Sequence, residues 1–271
     1  MASLADEKEH VKALLYGEPG TGKTTALASM AKLGRVAYID AESGLKSRAL
    51  RQFDIPLHNI EPHRPSTYDE IDALYWDIKA DLEDDAAMVK NGKDPLIGVV
   101  FDSMTEIQKR LIENAVVQRG AKLSKSGMEI SEFDVQLDDY GRVTEQLRRI
   151  VRKWRDLPCH VAFGALQKRD LDGKDGSIVY LPELMPKFAN DLMGYVDVVM
   201  CHVTSMEYGV MEFAGIARPV GKYRGKDRYG ALPVTLANPT FDRVVGLVND
   251  EIKLGEDQAQ LDFIRRRRTD G

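Results

Sequence analysis

The sequence predicts an α/β fold: a mostly parallel central sheet flanked by helices, with an antiparallel hairpin at one edge. Three observations carry this. Apolar runs of strand length recur between turn residues. Helix-length stretches with one apolar face separate them. The runs are nearly continuous in apolar residues, as strands are when crossover helices bury both faces of a parallel sheet.

The elements follow in order. Strands are expected at residues 11–16, 35–41, 96–101, 160–166 and 198–203. Leu27, Met30 and Ala31 mark a first helix, which Gly34 ends. Tyr68, Ile71, Leu74, Tyr75, Ile78 and Leu82 share one face of a longer helix, and Thr67 with Glu70 has capping-box spacing at its start. Val143, Leu147, Ile150, Val151 and Trp154 line one face of a third helix, with Arg148, Arg149, Arg152 and Arg155 elsewhere on it. After Val198 the runs VVMCHV and VMEFAGIA are separated by a short turn ending in Gly209, which predicts the hairpin. The polar stretches 119–141 and 168–178 are expected to be long loops. One core domain over residues 1–253 and a basic tail over 254–271 complete the expected organisation.

Composition excludes several classes. With 43% hydrophobic and 30% charged residues, a chain of 271 residues can bury a sizeable core. The 38 Lys and Arg against 43 Asp and Glu leave a net charge of -5, which argues against wholesale nucleic-acid coating but allows local basic patches. No run approaches the roughly 18 apolar residues of a membrane span, and the charged start MASLADEKEH is unlike a signal peptide, so a cytoplasmic protein with no membrane contact is expected. Cys159 and Cys201 sit in apolar stretches and read as packing residues. His58 and His63 flank H-N-I-E-P-H without a third ligand, so a turn is expected there, not a metal site.

The strongest chemical signal follows the first strand. Gly17-Glu18-Pro19-Gly20-Thr21-Gly22-Lys23-Thr24, continued by Thr25, is a complete G-x-x-x-x-G-K-T phosphate loop opening a helix. Its glycines let backbone N–H groups curl around phosphates, and the helix N-terminus adds its positive end. Lys23 is placed to reach the β and γ phosphates, and Thr24 to ligate magnesium. Asp102, after the apolar Val99-Val100-Phe101, supplies the second magnesium ligand, through water. Guanine recognition would use N-K-x-D, whereas Asn91-Gly92-Lys93-Asp94 has the wrong order, so the expected cofactors are ATP and Mg2+.

Hydrolysis needs a carboxylate that orients water in line with the γ-phosphate. No acid follows Asp102 directly, which disfavours the helicases and unfoldases that carry a D-E pair there. Tyr38-Ile39-Asp40-Ala41-Glu42 instead brings Glu42 out at the carboxyl edge of the second strand, where ligand-binding groups gather.

That string, followed by Ser43-Gly44-Leu45, resembles the F-I-D-A-E string in which RecA-like recombinase ATPases carry their catalytic glutamate. Asp102-Ser103 is similar to the family's V-V-D-S. Phe163-Gly164-Ala165-Leu166-Gln167 resembles the strand whose terminal glutamine senses the γ-phosphate and leads into a DNA-contacting loop, which makes Gln167 the switch residue. In Gly225-Lys226-Asp227-Arg228-Tyr229-Gly230 the K-x-R string resembles the one through which related hexameric helicases reach a neighbour's γ-phosphate, which implies trans roles for Lys226 and Arg228. The resemblance covers roughly residues 8–235 and looks like a bare RecA core, closest to the phage Sak-type single-strand annealing proteins. It lacks the polymerisation arm and C-terminal domain of bacterial RecA, which puts the familiar filament in doubt.

The resemblance implies an ATPase that binds single-stranded DNA and promotes annealing or recombination. It further implies phage origin, residence in the host cytoplasm, a homo-oligomer with shared active sites, and a single-strand-binding protein as a further partner. For DNA contact the stretch 119–140 offers Arg119, Lys122 and Lys125 with Phe133 and Tyr140, and the stretch after Gln167 offers Lys168, Arg169 and Lys174. Arg265-Arg266-Arg267-Arg268 reads equally as an arm that gathers DNA or as a solubilising tail. Two other classes stay open. One is a RecA-like regulatory ATPase acting on protein partners, marked by turnover indifferent to DNA. The other is a P-loop small-molecule kinase, against which Glu42 and the Lys226–Arg228 loop argue.

Overall fold

The computed structural model describes residues 8–84, 94–125, 131, 134–173, 175–207, 210–255 and 260. Its elements are β1 (Lys12–Gly17), α1 (Lys23–Ala28) continued by a 3-10 turn (Ser29–Lys32), β2 (Arg35–Asp40), α2 (Ser47–Arg51), a second 3-10 turn (Leu57–Asn59), β3 (Ile60–His63), α3 (Tyr68–Glu83) and β4 (Leu96–Asp102). Then come α4 (Met104–Ser124), α5 (Leu137–Arg155), β5 (His160–Leu171), β6 (Ile178–Pro182), α6 (Pro186–Tyr195), β7 (Val198–Glu207), β8 (Val210–Ile216), β9 (Lys226–Asp227), β10 (Thr235–Ala237) and α7 (Phe241–Val248).

The main sheet runs β10-β8-β7-β1-β5-β4-β2-β3. Every neighbouring pair from β7 to β3 is parallel, and β8 and β10 add on antiparallel beyond β7. This is the α/β sheet with an antiparallel hairpin near one edge that the apolar pattern predicts. Alternate residues of the central strands feed two cores. Leu14, Tyr16, Val99, Phe101, Val161 and Phe163 face the layer of α3 to α6, where Trp154 stands edge-on to Phe101 at 5.1 Å between ring centres. Ala13, Leu15, Val100 and Ala162 face α1, α2 and α7, packing with Leu27, Met30 and Phe241. Burial on both faces is why these strands read as unbroken apolar runs. The Thr67–Glu70 capping box is present, and the predicted face of α5 is buried in full.

Three expectations change. The stretch 119–141 is mostly helical: α4 continues through Ser124 and α5 starts at Leu137. Few of α4's residues are buried, so its outer face is polar and its later turns carry the signature of a solvated loop. The stretch 168–178 is largely strand, because β5 outruns the main sheet and pairs antiparallel with β6 from Gln167 to Leu171. His63 ends β3, an edge strand beside β2, where Pro62 is tolerated because an edge leaves one side of the ladder unpaired. Gln260, in the expected tail, packs back on β10: its side chain accepts from the Ala237 N–H at 2.9 Å and donates to the Thr235 carbonyl at 3.0 Å.

Two histidines of the sheet make stability depend on pH. His160 opens β5, and its Nδ1 accepts the Val11 N–H at 3.0 Å, a bond only the unprotonated nitrogen can make. Burial lowers its pKa from 6.5 to about 4, with His10 and Lys12 adding repulsion. His202 in β7 is buried and lowered to about 3, again chiefly by burial. The unfolded chain therefore takes up these protons before the folded one does. Stability is expected to hold above pH 6.5 and to fall as the pH drops toward 4, by on the order of 3 kcal/mol for His160 alone. Urea unfolding at pH 7.5 and pH 5 checks this, and His160→Gln should show the shallower pH dependence.

Candidate functional site

The parallel strands carry their C-terminal residues to one edge of the sheet. Gly17 pairs with Leu166 across β1 and β5, and Asp40 with Asp102 across β2 and β4. Because β5 lies between β1 and β4, Leu166 stands beside the end of β1 and Gly164 beside Asp102. A cavity of about 790 Å³ opens at this edge, lined by the loop from Pro19 to Thr25, by Glu42 and by Asp102. Ligands of open α/β sheets bind at such carboxyl edges.

The loop takes its shape from its glycines and from Lys23. Gly22, at φ 79°, is the N-cap of α1 in a left-handed conformation that glycine adopts without strain, and no side chain caps that N-terminus. The first-turn amides of α1 are thus left for a ligand. The Lys23 ammonium is buried and donates to the Gly17 carbonyl at 2.9 Å and the Glu18 carbonyl at 2.7 Å. Burial lowers its pKa, while Asp102 and Glu42 pull it back up.

Asp102 is buried at the end of β4 and accepts from the Tyr38 hydroxyl at 2.8 Å and from the Thr24 hydroxyl. Burial raises its carboxyl pKa, against the pull of those two hydroxyls. Gly164 makes room for it: a β-carbon there would stand 2.8 Å from Leu27 Cδ1 and 3.2 Å from Asp102 Oδ1. The turn bearing Glu42 is anchored on both sides. The Ala41 and Glu42 N–H groups donate to the Asp102 carbonyl, and the Asp40 carboxylate accepts from the Gly44 N–H and from Arg64. Arg110 donates to the Ala41 carbonyl, and the Ser103 hydroxyl donates to Glu42 Oε1.

A family model described as an AAA domain, AAA_24, matches residues 9–229. The chain belongs to this family. The AAA domain is a P-loop ATPase domain, which makes this a nucleotide-binding ATPase chain in general terms. No curated protein matches the chain. No helix among the described residues is long and apolar enough to cross a membrane.

The AAA domain places its other expected site residues unequally. Gln167 does not line the cavity; it follows Leu166, which does, donating to Glu18 Oε1 at 3.5 Å and accepting from Cys201 Sγ at 3.3 Å. It does not terminate its strand; it is the first residue of the β5–β6 ribbon. Lys168 and Arg169 follow on that ribbon, Lys168 within 3.6 Å of Asp170, while Lys174 lies outside the described residues. Arg119 bonds Asp139 and Asp134, pinning α4 to the start of α5, so it is not a free cation. Lys122 lies in the last turn of α4 and Lys125 is its C-cap residue. Phe133 and the Arg265–Arg268 run lie outside the described residues.

Lys226 and Arg228 lie toward the opposite edge of the sheet. β9 meets β7 at Val198 and Val199, whereas Gly17 faces His202, a separation of roughly 13 Å at about 3.3 Å per residue. They cannot serve their own phosphate loop. Lys226 donates to the carbonyls of Met193, Gly194 and Val196, which uses all three ammonium donors at the end of α6 and withdraws it from the expected trans pair. Arg228 pairs with Asp197 at 3.0 Å but keeps 54% of its side chain exposed.

Sequence reasoning missed Tyr38, Ser103, Arg64 and Arg110. Two of them had a signal: Tyr38 opens the Tyr38–Glu42 string and Ser103 closes the Asp102-Ser103 string, though neither string names a partner for its side chain. The far wall of the cavity, with Phe53, Phe213 and the Asn238–Thr240 turn, has no motif at all.

Proposed function

We propose that this AAA domain is an ATP- and magnesium-dependent ATPase of the RecA-like type that binds single-stranded DNA and promotes annealing or recombination, as the phage Sak-type proteins do. The observation that carries the DNA part is Gln167. It contacts Glu18 of the phosphate loop and begins the ribbon that bears Lys168 and Arg169, so a change at the phosphates has a direct mechanical route to a cationic surface. The donor set fits magnesium, since Thr24 and Asp102 offer only oxygen and already hydrogen-bond each other. Magnesium, when bound, offsets the charge of the phosphates.

Lys23 exchanges the Gly17 and Glu18 carbonyls for phosphate oxygens, and the α1 N-terminus donates its free amides. Glu42, steadied at Oε1 by Ser103, keeps Oε2 to orient a water and take its proton. Gln167 reads the γ-phosphate and passes its loss to the ribbon. Arg228 reaches the site of a neighbouring copy, so turnover depends on assembly.

Fluorescence anisotropy of a labelled single-stranded oligonucleotide, under ATP, ADP and no nucleotide and at two salt concentrations, tests this reading. Single-strand binding should be tightest with ATP and weaken with salt, because phosphate contacts release counterions. Binding equally weak in every nucleotide state, with turnover indifferent to DNA, would replace it with a regulatory ATPase acting on protein partners. Mixing tests the shared site: Arg228→Ala and Glu42→Gln, each inactive alone, should regain turnover together. No recovery at any ratio would remove the trans role of Arg228.

A further inference from the structure

Tyr16 immediately precedes Gly17, the first residue of the phosphate loop, and is fully buried in β1. Its hydroxyl accepts from the Arg224 N–H at 3.1 Å and donates to the Arg224 carbonyl at 2.7 Å, with the Tyr180 carbonyl of β6 also within 3.2 Å. One side chain thus holds both backbone groups of a residue 208 positions away. That fixes where this backbone sits, because a group left unpaired beside the core costs its desolvation.

Arg224 ends a segment that extends the β5–β6 ribbon. The Tyr180 N–H donates to the Lys222 carbonyl at 2.8 Å, and Tyr180 and Tyr223 form a parallel bridge with their ring centres 5.5 Å apart. The Arg224 guanidinium then reaches the far end of the ribbon and pairs at 2.6 Å with Asp172, the residue after β5. Asp172 also closes the turn there, its N–H donating to the Ser177 carbonyl at 2.8 Å. The ribbon is therefore attached to the phosphate loop and its strand at two points. Gln167 and Glu18 hold its base, and Arg224 and Tyr16 hold its turn.

Cys201 joins the two attachments. It pairs with Tyr16 across β1 and β7, is fully buried, and lies within hydrogen-bonding reach of the Tyr16 hydroxyl. Its thiol donates to Gln167 Oε1 at 3.3 Å, which leaves Gln167 Nε2 to face Glu18. Burial pushes the thiol pKa up to about 12, so at neutral pH it keeps the proton it donates. Buried polar chains of this kind respond as a unit.

We propose that Tyr16, Cys201 and Arg224 are positioning residues: Tyr16 and Arg224 clamp the turn of the ribbon to the phosphate-loop strand, and Cys201 sets the amide of Gln167, so that nucleotide at the loop orders the whole ribbon. The proposal rests on the reading of Gln167 as the residue that reports the nucleotide. It adds the residues through which that report reaches the ribbon's far end.

Hydrogen exchange of the full chain, followed by mass spectrometry over residues 167–182 with β4 as reference, tests it without DNA or turnover. Each protein is compared free and saturated with a non-hydrolysable Mg-ATP analogue, whose binding is measured by calorimetry. In the wild type the analogue should slow exchange in the ribbon about 5-fold or more, the scale of one hydrogen bond gained. Tyr16→Phe and Arg224→Met should bind the analogue within about 3-fold of wild type, yet their free ribbons should exchange about 5-fold faster and lose the response, with β4 unchanged. Cys201→Ala should lose the response too. Cys201→Ser, whose hydroxyl donates to the same oxygen, should keep it, a rescue that packing alone does not give. Arg224→Met changes a partly exposed ion pair and keeps the test decisive if Tyr16→Phe does not fold. A wild-type response in either folded variant would overturn the clamp, and exchange quickened equally in β4 and the ribbon would make these residues structural. Both results leave Gln167 and the DNA reading standing. A wild-type ribbon indifferent to bound analogue would overturn this proposal together with the route through Gln167, and wild type that binds no analogue would overturn the nucleotide reading beneath both.

Discussion

Lys23→Ala is expected to lower ATP turnover at least about 100-fold, the scale on which removal of a single positioned charge-stabilising donor registers in phosphoryl and acyl transfer. The reason lies in the bonds Lys23 now makes. Its ammonium is buried against the Gly17 and Glu18 carbonyls, so the loop is drawn around a positive charge before any phosphate arrives. Removing that charge takes away the phosphate partner and also leaves two loop carbonyls without their donor, so affinity and turnover should fall together. Nucleotide binding by calorimetry and steady-state phosphate release check this. Turnover near the wild-type rate in a folded variant would remove the phosphate loop from the mechanism.

Glu42→Gln should separate binding from chemistry. The amide keeps an oxygen to accept from Ser103, so the turn held by Asp40, Arg64 and Arg110 stays in place. It cannot take a proton from water. ATP affinity is expected to stay within about 3-fold, while kcat falls about 100- to 10,000-fold, the range for loss of a positioned general base. A single-turnover measurement at saturating ATP reads the chemical step directly. An unchanged rate would show that another group orients the water.

Much of this organisation was legible in the chain because it is written in short stretches. The phosphate loop is eight consecutive residues whose backbone alone makes the phosphate cradle, and Lys23 and Thr24 are fixed to it by adjacency. The strands bearing Asp102 and Glu42 announce themselves as buried apolar runs. The capping box of α3 and the buried face of α5 are likewise local patterns with a fixed period. Where the period failed, the reading failed: α4 buries little of its surface, so its second half looked like a loop. β3 is four residues long with a proline among them, so its strand character comes from pairing with β2.

The sequence by itself determined the fold class, the phosphate loop and the residue types that could act there. The tertiary structure decided which of them meet. Sheet order inserts β5 between β1 and β4 and so brings Gln167 to Glu18, across 149 residues of chain. It also hands the N-cap role of α7 to Ser29, 212 residues away from Phe241, and commits Lys226 to the end of α6 and Arg119 to Asp139. These choices are partnerships between groups distant in sequence. A side chain's donors and acceptors go to whichever neighbours burial leaves within about 3 Å, and local spacing carries no record of who those neighbours are.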